Sequence, residues 1–179
     1  MTINRIIVGE LQTNCYIIES EGEGVIIDPG AEPEGILNES KGINIILILL
    51  THNHFDHIGG VVKLKAITAT TTAIHPLDWI DGIDKELNDR EKIDLGEEQI
   101  DVIHTPGHTP GSCCFFVKDI LFSGDTLFPG GPGNTSLQGG DENEIKRSIK
   151  EKLLSLPDET KVYPGHGPFT TIGNERHLY

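Results

Sequence analysis

The chain has 179 residues, of which 36% are hydrophobic and 23% charged, a balance that suits one soluble domain with room for a core and excludes a disordered chain. Its formal net charge is −14, from 28 acids against 14 bases. That argues against a nucleic-acid backbone or an anionic membrane surface as partner, since both need a basic footprint. The longest apolar run, Ile45 to Leu50, is far below the about 20 residues of a membrane span. Met1 to Glu10 lacks the basic start and long apolar stretch of a signal peptide, so a cytoplasmic location is expected.

Taken in chain order, Arg5 to Val8, Cys15 to Glu19 and Val25 to Asp28 are short β-branched segments that predict strands. Asp28-Pro29-Gly30 is a strong strand-ending turn. Ile45 to Leu50 predicts a strand buried on both faces. Ile58, Val61, Val62 and Lys65 fall at helical spacing, so a helix is expected to begin near Asp56. Ala73 to His75 predicts a strand, and Pro76 opens a short helix around Trp79. Gln99 to His104, Ser112 to Lys118 and Ile120 to Ser123 predict further strands. Asp141-Glu142-Asn143-Glu144 reads as a capping box. Ile145, Ile149 and Leu153 then give an amphipathic helix ending near Leu156-Pro157. Lys161 to Tyr163 is a last strand.

Cys15, Cys113 and Cys114 form no CxxC pair. Cys113 and Cys114, adjacent on a strand, point to opposite faces, so all three are expected as small buried side chains. Asn38-Glu39-Ser40 and Asn134-Thr135-Ser136 match glycosylation sequons, which without a secretory signal carry no weight.

The polar residues are more informative. His52-Asn53-His54-Phe55-Asp56-His57 places three imidazoles and one carboxylate in six residues, directly after the Ile45 to Leu50 strand. These ligand types suit zinc, iron and manganese. His108 lies in Pro106-Gly107-His108-Thr109-Pro110-Gly111, Asp125 in Ser123-Gly124-Asp125-Thr126, and His166 in Pro164-Gly165-His166-Gly167. Each follows a predicted strand and sits in a Gly- or Pro-rich loop, where rigid scaffolds present functional groups. His52, His54, Asp56, His57, His108, Asp125 and His166 exceed the four ligands that a closed structural zinc site needs. They suit two ions about 3.5–4 Å apart, which lower the pKa of a shared water. His75, His104 and His177 fit no ligand spacing, and ordinary surface or hydrogen-bonded roles are expected for them. Trp79 is expected to pack in the core or at the rim. Gly130 to Gly140 lacks the ending of a phosphate-binding loop and reads as a flexible rim. No Gly-x-Ser-x-Gly elbow or His-Glu-x-x-His is present, which leaves a metal-activated water as the one obvious nucleophile.

His-x-His-x-Asp-His, Gly-His-Thr-Pro-Gly-Ser, Gly-Asp-Thr-Leu-Phe and Pro-Gly-His-Gly, in this order, resemble the metallo-β-lactamase fold, and most closely its glyoxalase II-like branch. The likeness extends to Thr13-Asn14-Cys15-Tyr16 and Asp28-Pro29-Gly30, so it spans nearly the whole chain. It implies an α+β fold, a single αββα sandwich over residues 1–179 with two mixed sheets flanked by helices and the metals at one edge. It implies that His52, His54 and His108 hold a first metal, that Asp56, His57 and His166 hold a second, and that Asp125 bridges them. Asp28 is then a supporting residue behind the metal loop, and Asp56 and Asp125 are the carboxylates that bear on catalysis.

Two features depart from the glutathione-specific members of that branch. The chain ends soon after Pro164-Gly165-His166-Gly167, so the C-terminal helical domain that grips glutathione is expected to be absent. The stretch after Gly-Asp-Thr-Leu-Phe reads Gly130-Gly131-Pro132-Gly133-Asn134-Thr135-Ser136-Leu137 and carries no arginine. The resemblance implies a hydrolase with two Zn²⁺ ions (or Fe, Mn or a mixed pair) acting on a small acyl or thioester substrate. A thiolate leaving group needs little protonation, which fits the lack of an obvious general acid. A mononuclear-iron persulfide dioxygenase and a non-catalytic metal-binding module remain the alternatives.

Overall fold

The computed structural model describes residues 1–179. Strands β1 (Thr2–Val8), β2 (Thr13–Ser20) and β3 (Glu23–Ile27) form an antiparallel meander. Helix α1 (Pro33–Glu39) carries the chain back so that β4 (Asn44–Leu49) lies parallel to β3. Helices α2 (Phe55–Ile58) and α3 (Val61–Thr68) lead to β5 (Thr71–Ile74), parallel to β4, and β6 (Lys85–Glu86) completes the first six-stranded sheet. The second sheet takes β7 (Lys92–Leu95), β8 (Glu98–His104), β9 (Cys113–Val117) and β10 (Ile120–Gly124) in antiparallel order. A small hairpin, β11 (Leu127–Phe128) with β12 (Gly131–Pro132), precedes helix α4 (Glu142–Glu151). Strand β13 (Lys161–Pro164) then pairs parallel to β10. The short β14 (Thr170–Thr171) closes the edge before α5 (Ile172–Glu175).

Side-chain alternation explains why these sheets stack. Successive residues of a strand face opposite sides, and here both sides are apolar. Tyr16, Ile18, Leu47 and Leu49 meet Cys113, Phe115, Val117 and Phe122 in a core between the sheets. Their neighbours Cys15, Ile17, Ile48 and Leu50 face outward onto Ile36 of α1 and Val61 and Leu64 of α3. On the opposite side Cys114, Leu121 and Val162 pack against Ile145 and Ile149 of α4. The result is the expected αββα layering. Cys113 and Cys114 fall in different clusters, and all three cysteines are free and buried.

Three expectations need correction. The helix expected to run on from Asp56 is broken into α2 and α3 at Gly59-Gly60. That corner packs on the Asp28 turn: Gly60 N–H donates to Pro29 O at 2.8 Å, and a Cβ on Gly60 would lie 2.6 Å from the same oxygen. The helix after Pro76 is a single 3-10 turn, Pro76–Asp78, that ends before the half-exposed Trp79. The capping box is only half formed. Asp141 accepts from Asn143 N–H and Glu144 N–H, both at 2.9 Å. The reciprocal bond is missing because Asp141 N–H donates to Gly107 O at 2.8 Å, while Glu144 pairs with Arg147. Asp141→Ala should therefore lower stability by about 1 kcal/mol, read as a shift of the urea midpoint at unchanged slope. Glu144→Gln should leave the midpoint in place.

Candidate metal centre

The parallel pairs β3/β4 and β10/β13 end at the same edge of the sandwich. Loops beyond the carboxyl ends of parallel strands are where such sheets place ligands. Asp28 follows β3, His52 to His57 follow β4, Asp125 follows β10 and His166 follows β13, with His108 brought in by the β8–β9 loop. The two sheets are laced together here. Asn14 N–H donates to Gly165 O at 2.7 Å, and Gly165 N–H to Gly124 O at 2.8 Å. Gly165 is required, because a Cβ there would overlap Asp125 Oδ1 and His57 Cε1.

All seven residues singled out from the sequence meet at this edge. Potential ligand atoms of His52, His54 and His108 lie together, as do those of Asp56, His57 and His166, and Asp125 joins a group with His52 and His57. His54 Nδ1 is 3.1 Å from His52 Nε2 and 2.9 Å from His108 Nε2. Nitrogens held tetrahedrally at zinc distances would be about 3.3 Å apart, so the triangle is close to the size a metal requires. On the other side His57 Nε2 is 3.3 Å from His166 Nε2, and Asp56 Oδ2 is 3.1 Å from His166 Nε2.

Hydrogen bonds behind the rings fix which nitrogens are free. His57 Nδ1 faces Asp28 Oδ2 at 2.9 Å, His108 Nδ1 faces Asn134 O at 2.7 Å, and His166 Nδ1 faces Leu11 O at 3.0 Å. These partners only accept, so the proton sits on Nδ1. Thr51 Oγ1 donates to Asp28 Oδ2 at 2.7 Å, so it accepts from His52 Nδ1 at 2.9 Å. Four imidazoles are thus oriented with Nε2 toward the cluster, the tautomer a metal ligand needs.

Asp125 lies between the two groups. Its Oδ2 is 3.6 Å from both His108 Nε2 and His166 Nε2, and its Oδ1 is 3.4 Å from His57 Nε2. That Oδ1 is buried and has no hydrogen-bond partner. An orphaned buried carboxylate oxygen among lone-pair nitrogens is unfavourable unless a cation sits there, so the donor set fits metal ions.

The electrostatics agree. Burial, with His57 nearby, holds the His52 imidazole well below its ordinary pKa, and burial with His108 nearby lowers His54. Burial opposes charge on His57 too, but Asp28 and Asp125 outweigh it and raise His57 to about 10. The Asp56 and Asp125 carboxyls end well below the usual range. Burial pushes each up, but the bond from His166 and the charge of His57 beside Asp56, and the charge of His57 beside Asp125, outweigh it. Metal binding here exchanges protons for cations.

Sequence reasoning anticipated Asp28 as a support. It is buried, and its Oδ1 also accepts Thr51 N–H at 2.8 Å. It missed Thr51, the carbonyls of Leu11 and Asn134, and Asp78. The buried Asp78 accepts from Thr109 Oγ1 at 2.6 Å, Gly111 N–H at 2.8 Å and Asn53 N–H at 3.2 Å, which ties the His52–His57 loop to the His108 loop. No local motif marks it. The Gly130 to Gly140 segment does form a rim, but not the free one expected. Gly133 N–H donates to Thr126 O at 3.3 Å, and Asn134 O holds His108. His75 and His104 stay outside the cluster, their rings stacked 3.9 Å apart, and His104 Nε2 donates to Pro110 O at 2.9 Å. His177 lies in the C-terminal 3-10 turn, Arg176–Leu178.

A cleft of 760 Å³ opens over the cluster, lined by His54, Asp56, His108, Asp125 and His166 with Leu11, Phe55, Leu77 and Leu137 around them. No helix of the protein is long and apolar enough to cross a membrane.

The chain is similar to known proteins. The family model described as the Metallo-beta-lactamase superfamily matches residues 8–166. A protein of Haemophilus influenzae named hydroxyacylglutathione hydrolase GloC is 35% identical over 98% of this chain and 95% of its own. The crystal structure of BLEG-1 B3 metallo-beta-lactamase superposes with a TM-score of 0.90 at 35% identity, covering 98% of this chain and 97% of that one. The crystal structure of TTHA1623 in a di-iron-bound form does so with a TM-score of 0.86 at 37% identity, covering 97% and 96%.

Proposed function

The chain belongs to the metallo-β-lactamase superfamily, and from that premise we propose that it is a dinuclear metal-dependent hydrolase of thioesters. In this reading His52 Nε2, His54 Nδ1 and His108 Nε2 hold the first ion, Asp56, His57 Nε2 and His166 Nε2 hold the second, and Asp125 reaches both. The observation that carries it is the orphaned Oδ1 of Asp125, facing imidazoles whose Nδ1 protons are already engaged. Zinc is the metal we favour. A di-iron-bound relative makes iron the first alternative.

Two ions held here would supply a nucleophile from water at neutral pH and polarise the acyl carbonyl. The chain's own residues do the rest. Asp28 and Asn134 O hold His57 and His108 in the ligating tautomer, and Thr13 Oγ1, donating to Asp56 Oδ2 at 2.9 Å, fixes that carboxylate. The reaction forms a C–O bond from water and breaks the C–S bond, releasing a carboxylic acid and a thiol. A thiolate leaves without an acid catalyst. Apart from candidate ligands, the one titratable group lining the cleft is Asp78, whose oxygens are already occupied. The similarity to a protein named hydroxyacylglutathione hydrolase supports a thioester.

Protein purified without added metal should contain about two ions per chain and should cleave thioesters faster than lactones, lactams or phosphodiesters. Elemental analysis combined with that substrate panel checks both. One iron per chain with oxygen uptake would overturn the reading in favour of a dioxygenase. Failure on every substrate would leave a metal-binding module.

A further inference from the structure

Ten large apolar side chains are exposed on this protein, and four of them, Leu11, Phe55, Leu77 and Leu137, ring the mouth of the cleft. Their exposures run from 49% to 74%. A cluster of this kind beside a polar floor marks a binding surface. No lysine or arginine lines the cleft, and the charged groups that do are Asp56, Asp78 and Asp125 with their histidines. Leu11 and Phe55 also form the ridge to a second hollow of 430 Å³, whose lining adds Glu10 and Glu32. Arg5 sits in a separate hollow, its guanidinium on the Phe169 ring at 4.7 Å and bonded to Gly167 O at 3.3 Å. The whole chain carries −14. A thiol half bearing carboxylates would meet no cation outside the metal cluster and a repelling field on approach.

We infer that the thiol half of the substrate is uncharged and apolar, packing on Leu11, Phe55, Leu77 and Leu137 while the carbonyl reaches the metal cluster, and that glutathione esters, with two carboxylates and a net negative charge, are poor substrates. The inference rests on the thioester reading and narrows it. It sets this chain apart from the relative named for hydroxyacylglutathione. Hydrolysis breaks the C–S bond, and the proton from water ends on the released thiol.

The test pairs two esters of one acid, the lactoyl thioesters of benzyl mercaptan and of glutathione, on the metal-loaded protein. The benzyl ester should show a kcat/KM roughly tenfold or more above that of the glutathione ester. Added salt should raise the glutathione rate and leave the benzyl rate unchanged. Leu77→Ala and Leu137→Ala should raise KM for the benzyl ester more than they lower kcat, and Leu77→Arg should improve the glutathione ester alone. A glutathione ester cleaved as well as the benzyl ester, without salt dependence, would overturn the inference and leave the thioester reading standing. So would a benzyl KM unmoved by both alanine variants. If protein loaded with both ions cleaves neither ester, the thioester reading itself fails.

Discussion

Replacing Asp125 with alanine should lower metal content and turnover together. Of the two candidate carboxylate ligands, Asp125 alone pairs with imidazoles of both groups, with Oδ1 3.4 Å from His57 Nε2 and Oδ2 3.6 Å from both His108 and His166 Nε2. Two divalent ions held close together repel each other strongly, and a carboxylate between them offsets part of that repulsion. Without it, metal content should fall from about two ions per chain to at most one, with kcat/KM down by ~10³ or more. Asp125→Asn keeps the shape and one acceptor but loses the charge, so its metal content should fall between the two. Elemental analysis after dialysis gives the content. Thermal melts of the chelated proteins show whether each variant is folded. A folded alanine variant with unchanged metal content would remove Asp125 from the site.

The seven candidate ligands are legible in the amino-acid sequence because each sits in a short segment whose neighbours carry the same information. A strand brings His52 to His57, His108, Asp125 or His166 to the edge, and a glycine beside His108, Asp125 and His166 lets the loop turn there. Gly165 is the clearest case, since the overlap its Cβ would cause is with the site itself. The layering is legible for a similar reason. Ile45 to Leu50 is apolar on both faces, and the fold gives it a core on each side. What stays hidden depends on contacts between distant segments. The helix from Asp56 breaks because Gly59 and Gly60 press on Pro29 and Gly30, some thirty residues earlier in the chain. The half-formed capping box reflects a bond from Asp141 N–H to Gly107 O. The anchor of the Gly130 to Gly140 rim, Asn134 O on His108, is a backbone atom that any residue would supply, so no side chain signals it. Strands β6 and β7 escape a reading by pattern because Lys85–Glu86 is short and wholly polar, and Lys92–Leu95, although it alternates, is only four residues long.

Asp78 belongs to the same hidden class, and its replacement should have the second largest effect. It is not a candidate ligand, yet its two oxygens accept from one loop at Asn53 N–H and from another at Thr109 Oγ1 and Gly111 N–H. These loops carry His52, His54 and His108, the first-metal triangle. The fit is close enough that a Cβ on Gly111 would lie 2.6 Å from Asp78 Cβ and Cγ. Asp78→Ala leaves Gly111 N–H and Asn53 N–H without their acceptor, while Thr109 Oγ1 still has Ser112 Oγ at 2.6 Å. A buried donor stranded in this way costs about 1–3 kcal/mol; Gly111 N–H is buried and Asn53 N–H only partly so, so the variant should lose roughly 2–4 kcal/mol of stability. Groups of this kind, acting behind the ligands, typically carry 10–100-fold in metal affinity. The first metal should weaken by about that factor, while the second, held by residues Asp78 does not touch, should change little. Asp78→Asn keeps one acceptor for Gly111 N–H, so it should recover part of both losses. Competition with a chromophoric chelator gives the two affinities, and urea denaturation of metal-free protein gives the stability. A purely structural role would lower stability and leave the ratio of the two affinities where it is in the wild type. A shift in that ratio would show that Asp78 sets the geometry of the triangle.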